Sequence, residues 1–227
     1  MILYHGSEKI IRQPRYHGGK AHNDYGYGFY CTESADLARE WSVEEARDGF
    51  CNRYRLEREG LNILRLNGGG LTVLHWLTVL LENREFALTS PLAREGRRYL
   101  LDHFSVPYRE ADVCIGYRAD DSYFSFAQDF LNGTISVQQL SSAMMLGKLG
   151  EQVVLISRRS YEHIVFEQAE EVPAAVWYAR RYRRDHEARE RYFSRDRRSW
   201  QRGELYLVRL LDEEVKADDE RIPRLLY

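Results

Sequence analysis

The sequence predicts an α+β fold, and three stretches carry that reading. Cys51 to Leu56 and Leu61 to Leu66 are β-type runs separated by Glu59-Gly60, the pattern of an antiparallel pair joined by a glycine turn. Leu71 to Asn83 sets Leu74, Leu77, Leu80 and Leu81 on one helical stripe. Ala174 to Gln201, with Arg202 at its end, reads as one long charged helix in which Trp177, Tyr178, Tyr182, Tyr192 and Phe193 alternate with arginines.

The remaining elements follow in chain order. Met1 to Tyr4 reads as a short strand whose edge carries His5, and Glu8 to Pro14 as a loop or brief helical turn. His17 to Asp24 is polar and glycine-rich, which predicts a mobile loop. Gly28 to Thr32 alternates as a second strand. Ser34 then caps a helix on which Ala35, Leu37, Ala38 and Trp41 recur at helical spacing. Ala111 to Tyr117 is a strand-turn region, Tyr123 to Leu131 and Ser136 to Met145 are helices, and Gly150 to Ile156 is a β-branched strand. Glu204 to Leu211 alternates as a final strand, with Pro223 in a short tail. With no internal repeat and no low-complexity linker, residues 1–227 read as a single domain.

Composition bounds the function. A hydrophobic content of 44% with 30% charged residues rules against wholesale disorder. A formal net charge of -2 gives no global attraction to nucleic acid or anionic lipid, so any such binding must be local. The three cysteines, Cys31, Cys51 and Cys114, have no metal-ligand spacing and suit a reduced compartment; Cys31 reads as core filling. His17, His22, His75 and His103 have no ligand-like spacing either, so no metal site is expected. Met1 runs straight into Ile2-Leu3-Tyr4 without a basic leader, and the apolar run from Leu71 to Leu81 is too short to span a bilayer. A cytoplasmic protein without membrane contact is the expectation.

Chemistry concentrates in Tyr4-His5-Gly6-Ser7 and in Asp24-Tyr25-Gly26-Tyr27-Gly28-Phe29-Tyr30-Cys31-Thr32. Glycines let backbone groups approach a ligand edge, and tyrosines offer faces to a flat ring. Each piece also has a plain structural reading. His5 suits a structural histidine, the glycine-aromatic run a tight turn with core aromatics, and Asp120-Asp121-Ser122 a helix cap. The arginine helix suits a solvated face with i,i+4 pairs, a surface for phosphates and stacked bases, or a dock for an acidic partner.

Taken in order, these motifs resemble the ADP-ribosyltransferase superfamily, the diphtheria-toxin-like and poly-ADP-ribose-polymerase-like branch. Leu3-Tyr4-His5-Gly6-Ser7 is similar to its opening strand, Gly26-Tyr27-Gly28-Phe29-Tyr30 to its second conserved strand, and Glu151-Gln152-Val153-Val154-Leu155 to its third. Leu71 to Arg84, Ile115 to Ser122 and Leu205 to Arg224 look like a bacterial family of unknown function placed in that superfamily, often beside small antitoxin-like genes. The resemblance implies split antiparallel β-sheets around an NAD cleft, with surrounding helices and a long C-terminal helix. It implies a toxin that transfers ADP-ribose from NAD, its co-substrate, to a protein or nucleic-acid acceptor, with a small antitoxin as partner. His5 would bond a ribose hydroxyl, the Gly6 backbone the nicotinamide amide, and Tyr30 would lie against the nicotinamide ring. Ser7, Gly28 and Thr32 complete the implied cofactor-binding set. The third motif departs from the family: Gln152 aligns with its usual glutamate, and Glu151 stands one residue earlier. Neighbours on a strand point to opposite faces, so one of the pair enters the pocket unless a bulge re-aims the other; Gln152 ranks first. Glutamine bonds a hydroxyl but supplies neither a general base nor a formal charge. A carboxylate from Asp120 or Asp121, beside Ser122, or from Glu151 at a bulge, is the other source.

Overall fold

The computed structural model describes residues 1–119, 121–146, 150–197 and 199–224. Two sheets and eight α-helices form a mixed α+β architecture among them. The first sheet has the order β1 (Ile2–Ser7), β3 (Gly49–Leu56), β7 (Ile164–Val172), all antiparallel. The second has the order β2 (Phe29–Cys31), β6 (Glu151–Leu155), β5 (Val113–Tyr117), β4 (Ile63–Arg65). Its β4–β5 pair is parallel, which corrects the expectation of purely antiparallel sheets. The sheets are stitched together where Tyr4 and Thr32 exchange both backbone hydrogen bonds, at 2.8 and 2.9 Å.

Side-chain alternation sorts the strands into layers. Leu3, Tyr54 and Leu56 from the first sheet meet Phe29, Cys31, Val113, Ile115, Val153 and Leu155 from the second in a core between them. The outer face of the first sheet, with Cys51 and Val172, is covered by Ala38 and Val43 at α1 (Ala35–Ser42) and by Ala174 at the start of α7 (Ala174–Arg191). The outer face of the second sheet buries Cys114, Tyr117 and Val154 against the largest core cluster. Helices α2 (Val73–Asn83), α3 (Pro91–Phe104), α4 (Asp121–Leu131), α5 (Val137–Met144) and α8 (Leu207–Asp212) contribute to it. The short α6 (Arg158–Glu162) links β6 to β7.

Local chemistry sets the helix starts. Ser34, Thr72, Ser90, Ser136 and Ser157 each accept a backbone N–H of the first turn they cap, satisfying a donor that the helix itself leaves unpaired. Thr72 and Ser136 are full capping boxes, closed by the side chains of His75 and Gln139.

Several expectations are corrected here. Cys51–Leu56 and Leu61–Leu66 do not pair with each other; β3 joins β1 and β7, and β4 runs beside β5 in the other sheet. The stretch expected as a late strand over residues 204–211 is instead Tyr206 followed by helix α8, in which Leu207 and Leu210 are buried three residues apart on one face. The arginine-rich helix ends at Arg191, where Tyr192 opens a π-helical turn over Tyr192–Asp196. Tyr192 is fully buried, stacks on Phe126 at 3.8 Å and donates its hydroxyl to Asp129 at 2.7 Å, an anchor that fixes where the chain must turn. Helix α3 and strand β7 complete the fold without having been expected.

Candidate functional site

A cavity of about 900 Å³ opens where the two sheets are stitched together. His5 and Gly6 of β1, the segment from Lys9 to Arg15, Gly18 and Gly19, Asn23 and Asp24, Gly28 to Tyr30, Trp41, Arg84, Arg118, Ala119, Gln152 and Arg181 line it. It thus joins the three motif regions, the third of which lies more than a hundred residues after the first two in the chain.

β1 presents His5 and Gly6 to opposite sides. His5 shares the face of Leu3, between the sheets, and its ring lies 4.4 Å from that of Phe29. Its Nδ1 is 2.7 Å from the Tyr30 carbonyl oxygen. A carbonyl only accepts, so Nδ1 carries the proton and Nε2 of the neutral ring is an acceptor. Burial lowers the pKa of His5, against the raising effect of the Tyr30 carbonyl, which keeps the ring neutral at pH 7. Gly6 faces α1, and a Cβ there would stand 2.0 Å from the Ala38 carbonyl oxygen and 2.8 Å from the Ser42 nitrogen. The glycine is therefore demanded by the helix backbone behind the cavity as well as by any ligand in front.

Tyr30 is fixed at its hydroxyl, which donates to the Gly26 carbonyl at 2.6 Å and accepts from the Tyr25 N–H at 3.1 Å. Gly26 turns there with φ +71°, a conformation free of penalty only for glycine. Burial raises the Tyr30 pKa, so the phenol stays protonated. Tyr30 pairs across to Val154, and Gln152 lies two residues before Val154, which puts Tyr30 and Gln152 on one face of the second sheet. Glu151 takes the opposite face, where it pairs with Arg65 at 3.0 Å and accepts from Asn67 at 3.2 Å, outside the cavity lining.

Asp24 holds the site together. Its Oδ1 meets Arg84 at 2.8 Å, and its Oδ2 accepts from the Ala119 N–H at 2.9 Å and from Gln152 Nε2 at 3.1 Å. Burial raises its pKa, opposed by the Ala119 N–H, Arg84, Arg118 and Gln152. Asn52, fully buried on β3, accepts from the Ile11 N–H at 2.9 Å and donates to Ser7 Oγ at 2.9 Å, and Tyr54 donates to the Ile11 carbonyl. These bonds tie the segment after β1 into the cavity wall.

Ser7 and Thr32 do structural work: Ser7 donates to the Lys9 carbonyl, and Thr32 bonds the Tyr4 backbone and accepts from the Ser34 N–H. Asp120 lies outside the described residues, and Asp121 and Ser122 open α4. Asp24, Asn52, Arg84 and Arg118 were not expected from the sequence. Asp24 carried one signal, a lone acid at the junction of a glycine-rich loop and an aromatic cluster.

The charge around the cavity is lopsided. Among the described residues, Lys9, Arg12, Arg15, Arg84, Arg118 and Arg181 line it against the single carboxylate of Asp24. Such a wall favours an anionic ligand, while Phe29, Tyr30 and Trp41 offer ring faces.

No curated protein and no solved structure matches this chain. One family model does, described as a protein of unknown function, DUF3990, over residues 1–166. The matched span carries every cavity-lining residue except Arg181. The chain belongs to DUF3990.

Proposed function

We propose that this protein is an NAD-dependent ADP-ribosyltransferase, an intracellular bacterial toxin of a toxin–antitoxin or anti-phage module that modifies a macromolecular acceptor. The convergence of His5, Gly6, Tyr30 and Gln152 on one cation-lined cavity carries this reading. Ligand cavities run from roughly 300 to 1,000 Å³, and this one lies near the upper end, with room for a dinucleotide. Its six basic residues suit a diphosphate, its aromatics a nicotinamide or adenine ring. The residues present therefore fit NAD.

The dinucleotide brings a labile bond between ribose carbon and nicotinamide nitrogen; its electron pair leaves with nicotinamide, and the acceptor's nucleophile bonds the same carbon. His5 orients the ribose by accepting a hydroxyl at Nε2. The Gly6 backbone pairs with the nicotinamide amide. Tyr30, held at its hydroxyl, presents its ring to the nicotinamide face. Gln152 contributes a dipole beside the ribose, and holding these groups in line lowers the barrier without any reorganisation during reaction. The acceptor's proton is lost without help from Gln152, which has no basic group.

Incubation with labelled NAD and cell lysate tests the reading. His5→Ala and Tyr30→Ala are each expected to cut label transfer by about 100-fold, the usual cost of losing one organising contact. Transfer unaffected by both changes removes the site. One observation favours a second reading, a catalytically weak NAD-pocket domain that senses or binds nucleic acid: Glu151 is held away from the cavity, leaving Gln152 where the superfamily that the motif resembles has a glutamate. NAD binding without turnover, together with a steep salt dependence of RNA or DNA binding, is the result that supports it.

A further inference from the structure

Gln152 is 4% exposed and lines the cavity, yet its Oε1 has no hydrogen-bond partner among the described residues. Leaving a buried acceptor unsatisfied is costly, so a site that keeps one is built to meet a donor. The other end of the same amide is committed. Nε2 lies 3.1 Å from Asp24 Oδ2, and a carboxylate has no proton to offer, so only the NH₂ end of Gln152 can face it. Asp24 is itself held on its remaining sides by Arg84 at 2.8 Å and by the Ala119 N–H at 2.9 Å, and is 6% exposed.

We propose that Asp24 is a positioning residue: it locks the Gln152 amide so that Oε1 faces the ligand as an acceptor, and thereby makes the site specific for a ligand hydroxyl that can donate. This rests on the reading of the cavity as an NAD site, and the hydroxyl is one of the two on the nicotinamide ribose. The buried carboxylate also polarises the amide through its N–H, strengthening Oε1 as an acceptor.

The experiment is calorimetric titration of the full chain with NAD and with NAD analogues in which either nicotinamide-ribose hydroxyl is replaced by fluorine, which cannot donate. Wild type is expected to bind NAD roughly tenfold tighter than one of the two analogues, the range of a single hydrogen bond. In Asp24→Asn the amide at position 24 can donate to Gln152 Oε1 and turn its NH₂ to the ligand, so the ratio should fall towards one. A ratio does not change with the fraction of protein folded, which separates positioning from mere structure. An Asp24→Asn protein that binds NAD and keeps the full tenfold preference overturns the inference. Wild type that binds no NAD overturns the dinucleotide reading and the hydroxyl assignment with it.

Should Asp24→Asn fail to fold, Gln152→Glu serves. It sets a second carboxyl 3.1 Å from Asp24, where two like charges resist forming together. The groups facing Asp24 are Arg84, Arg118, Tyr25 and Tyr30; the arginines stay charged and the tyrosines, raised by burial, stay neutral from pH 6.5 to 8.5. His5, lowered by burial, is neutral there too. Proton uptake by the carboxyl pair should therefore make NAD affinity of Gln152→Glu depend on pH where wild type is flat. A profile as flat as wild type overturns the coupling.

Discussion

His5 and Gln152 both work through the atom their partner leaves over. The Tyr30 carbonyl accepts a hydrogen bond from His5 Nδ1, and the Asp24 carboxylate accepts one from the Gln152 amide, so each side chain has an acceptor left. Two measurements follow at this scale. Gln152→Ala should impair NAD cleavage far more than Glu151→Ala, because Glu151 only accepts from Arg65 and Asn67 at a rim where Arg65 is 48% exposed. The loss of stability in Glu151→Ala, read by denaturant titration, should stay below about 1 kcal/mol, as for other exposed pairs. Equal damage from both would move the site to the other face of the strand. The pH dependence of His5 has a definite sign. Its folded pKa lies below the ordinary 6.5, so the unfolded chain takes up the proton first and stability is lost as pH falls below 6.5. NAD affinity should fall only at lower pH, around the depressed folded pKa at which Nε2 is protonated and ceases to accept, and His5→Gln should flatten both profiles.

At the scale of elements, α1 is the wall on which the cavity strand leans. Gly6 sits 2.0 Å, measured from an added Cβ, from the Ala38 carbonyl, so Gly6→Ala must push β1 off α1. A cost of about 3 kcal/mol or more in denaturant titration is expected, at the upper end for overpacking because the obstacle is backbone. A change under 1 kcal/mol would show that β1 is free to shift. On its other side α1 receives α7. Arg184, 16% exposed, meets Glu40, 8% exposed, at 2.8 Å, and Arg180 and Arg39 share Asp36. Part of the arginine helix is thus committed to docking on α1, and Glu40→Ala should cost less than the roughly 3 kcal/mol of a stranded buried charge, because Arg184 keeps Asp185 at 3.2 Å. The Ser34 and Ser136 helices were legible because cap and apolar positions coincide within one turn, and α2 was legible from its leucine stripe alone. Helix α3 was hidden by the polar run Arg94-Glu95-Gly96-Arg97-Arg98, although Ser90-Pro91 is a cap followed by a first-turn proline. Strand β7 was hidden by Glu167, Glu170 and Glu171, charges that suit an edge strand but erase its alternation. Residues 204–211 misled because Leu205, Leu207 and Leu211 fall at even spacings, whereas burial of Leu207 and Leu210 belongs to a helix.

Across the whole molecule, what the sequence did not disclose was long-range. The motif around His5, that around Tyr30 and that at Gln152 were readable as pieces, but Arg84, Arg118 and Arg181 reach the same cavity from the end of α2, the end of β5 and the arginine helix. Only the stacking of two sheets between helical layers brings them together. A chain of net charge -2 thereby gains a cavity lined, among the described residues, by six cations and one carboxylate, a local field opposite in sign to the whole. That contrast has a measurable consequence. ADP-ribose, with its diphosphate, should lose affinity by about tenfold as NaCl rises from roughly 50 to 500 mM, because the shorter screening length weakens its attraction to the lining cations. Nicotinamide, which is neutral and would meet only Gly6 and Tyr30, should bind with an affinity independent of salt. Arg15→Glu should weaken ADP-ribose and flatten its salt dependence while leaving nicotinamide unchanged, since residue 15 lines the cavity from the segment after β1 and is remote in sequence from Tyr30 and Gln152. Parallel salt responses for the two ligands would mean that the cations hold the wall together and do not read the ligand, and the diphosphate would have to be placed elsewhere.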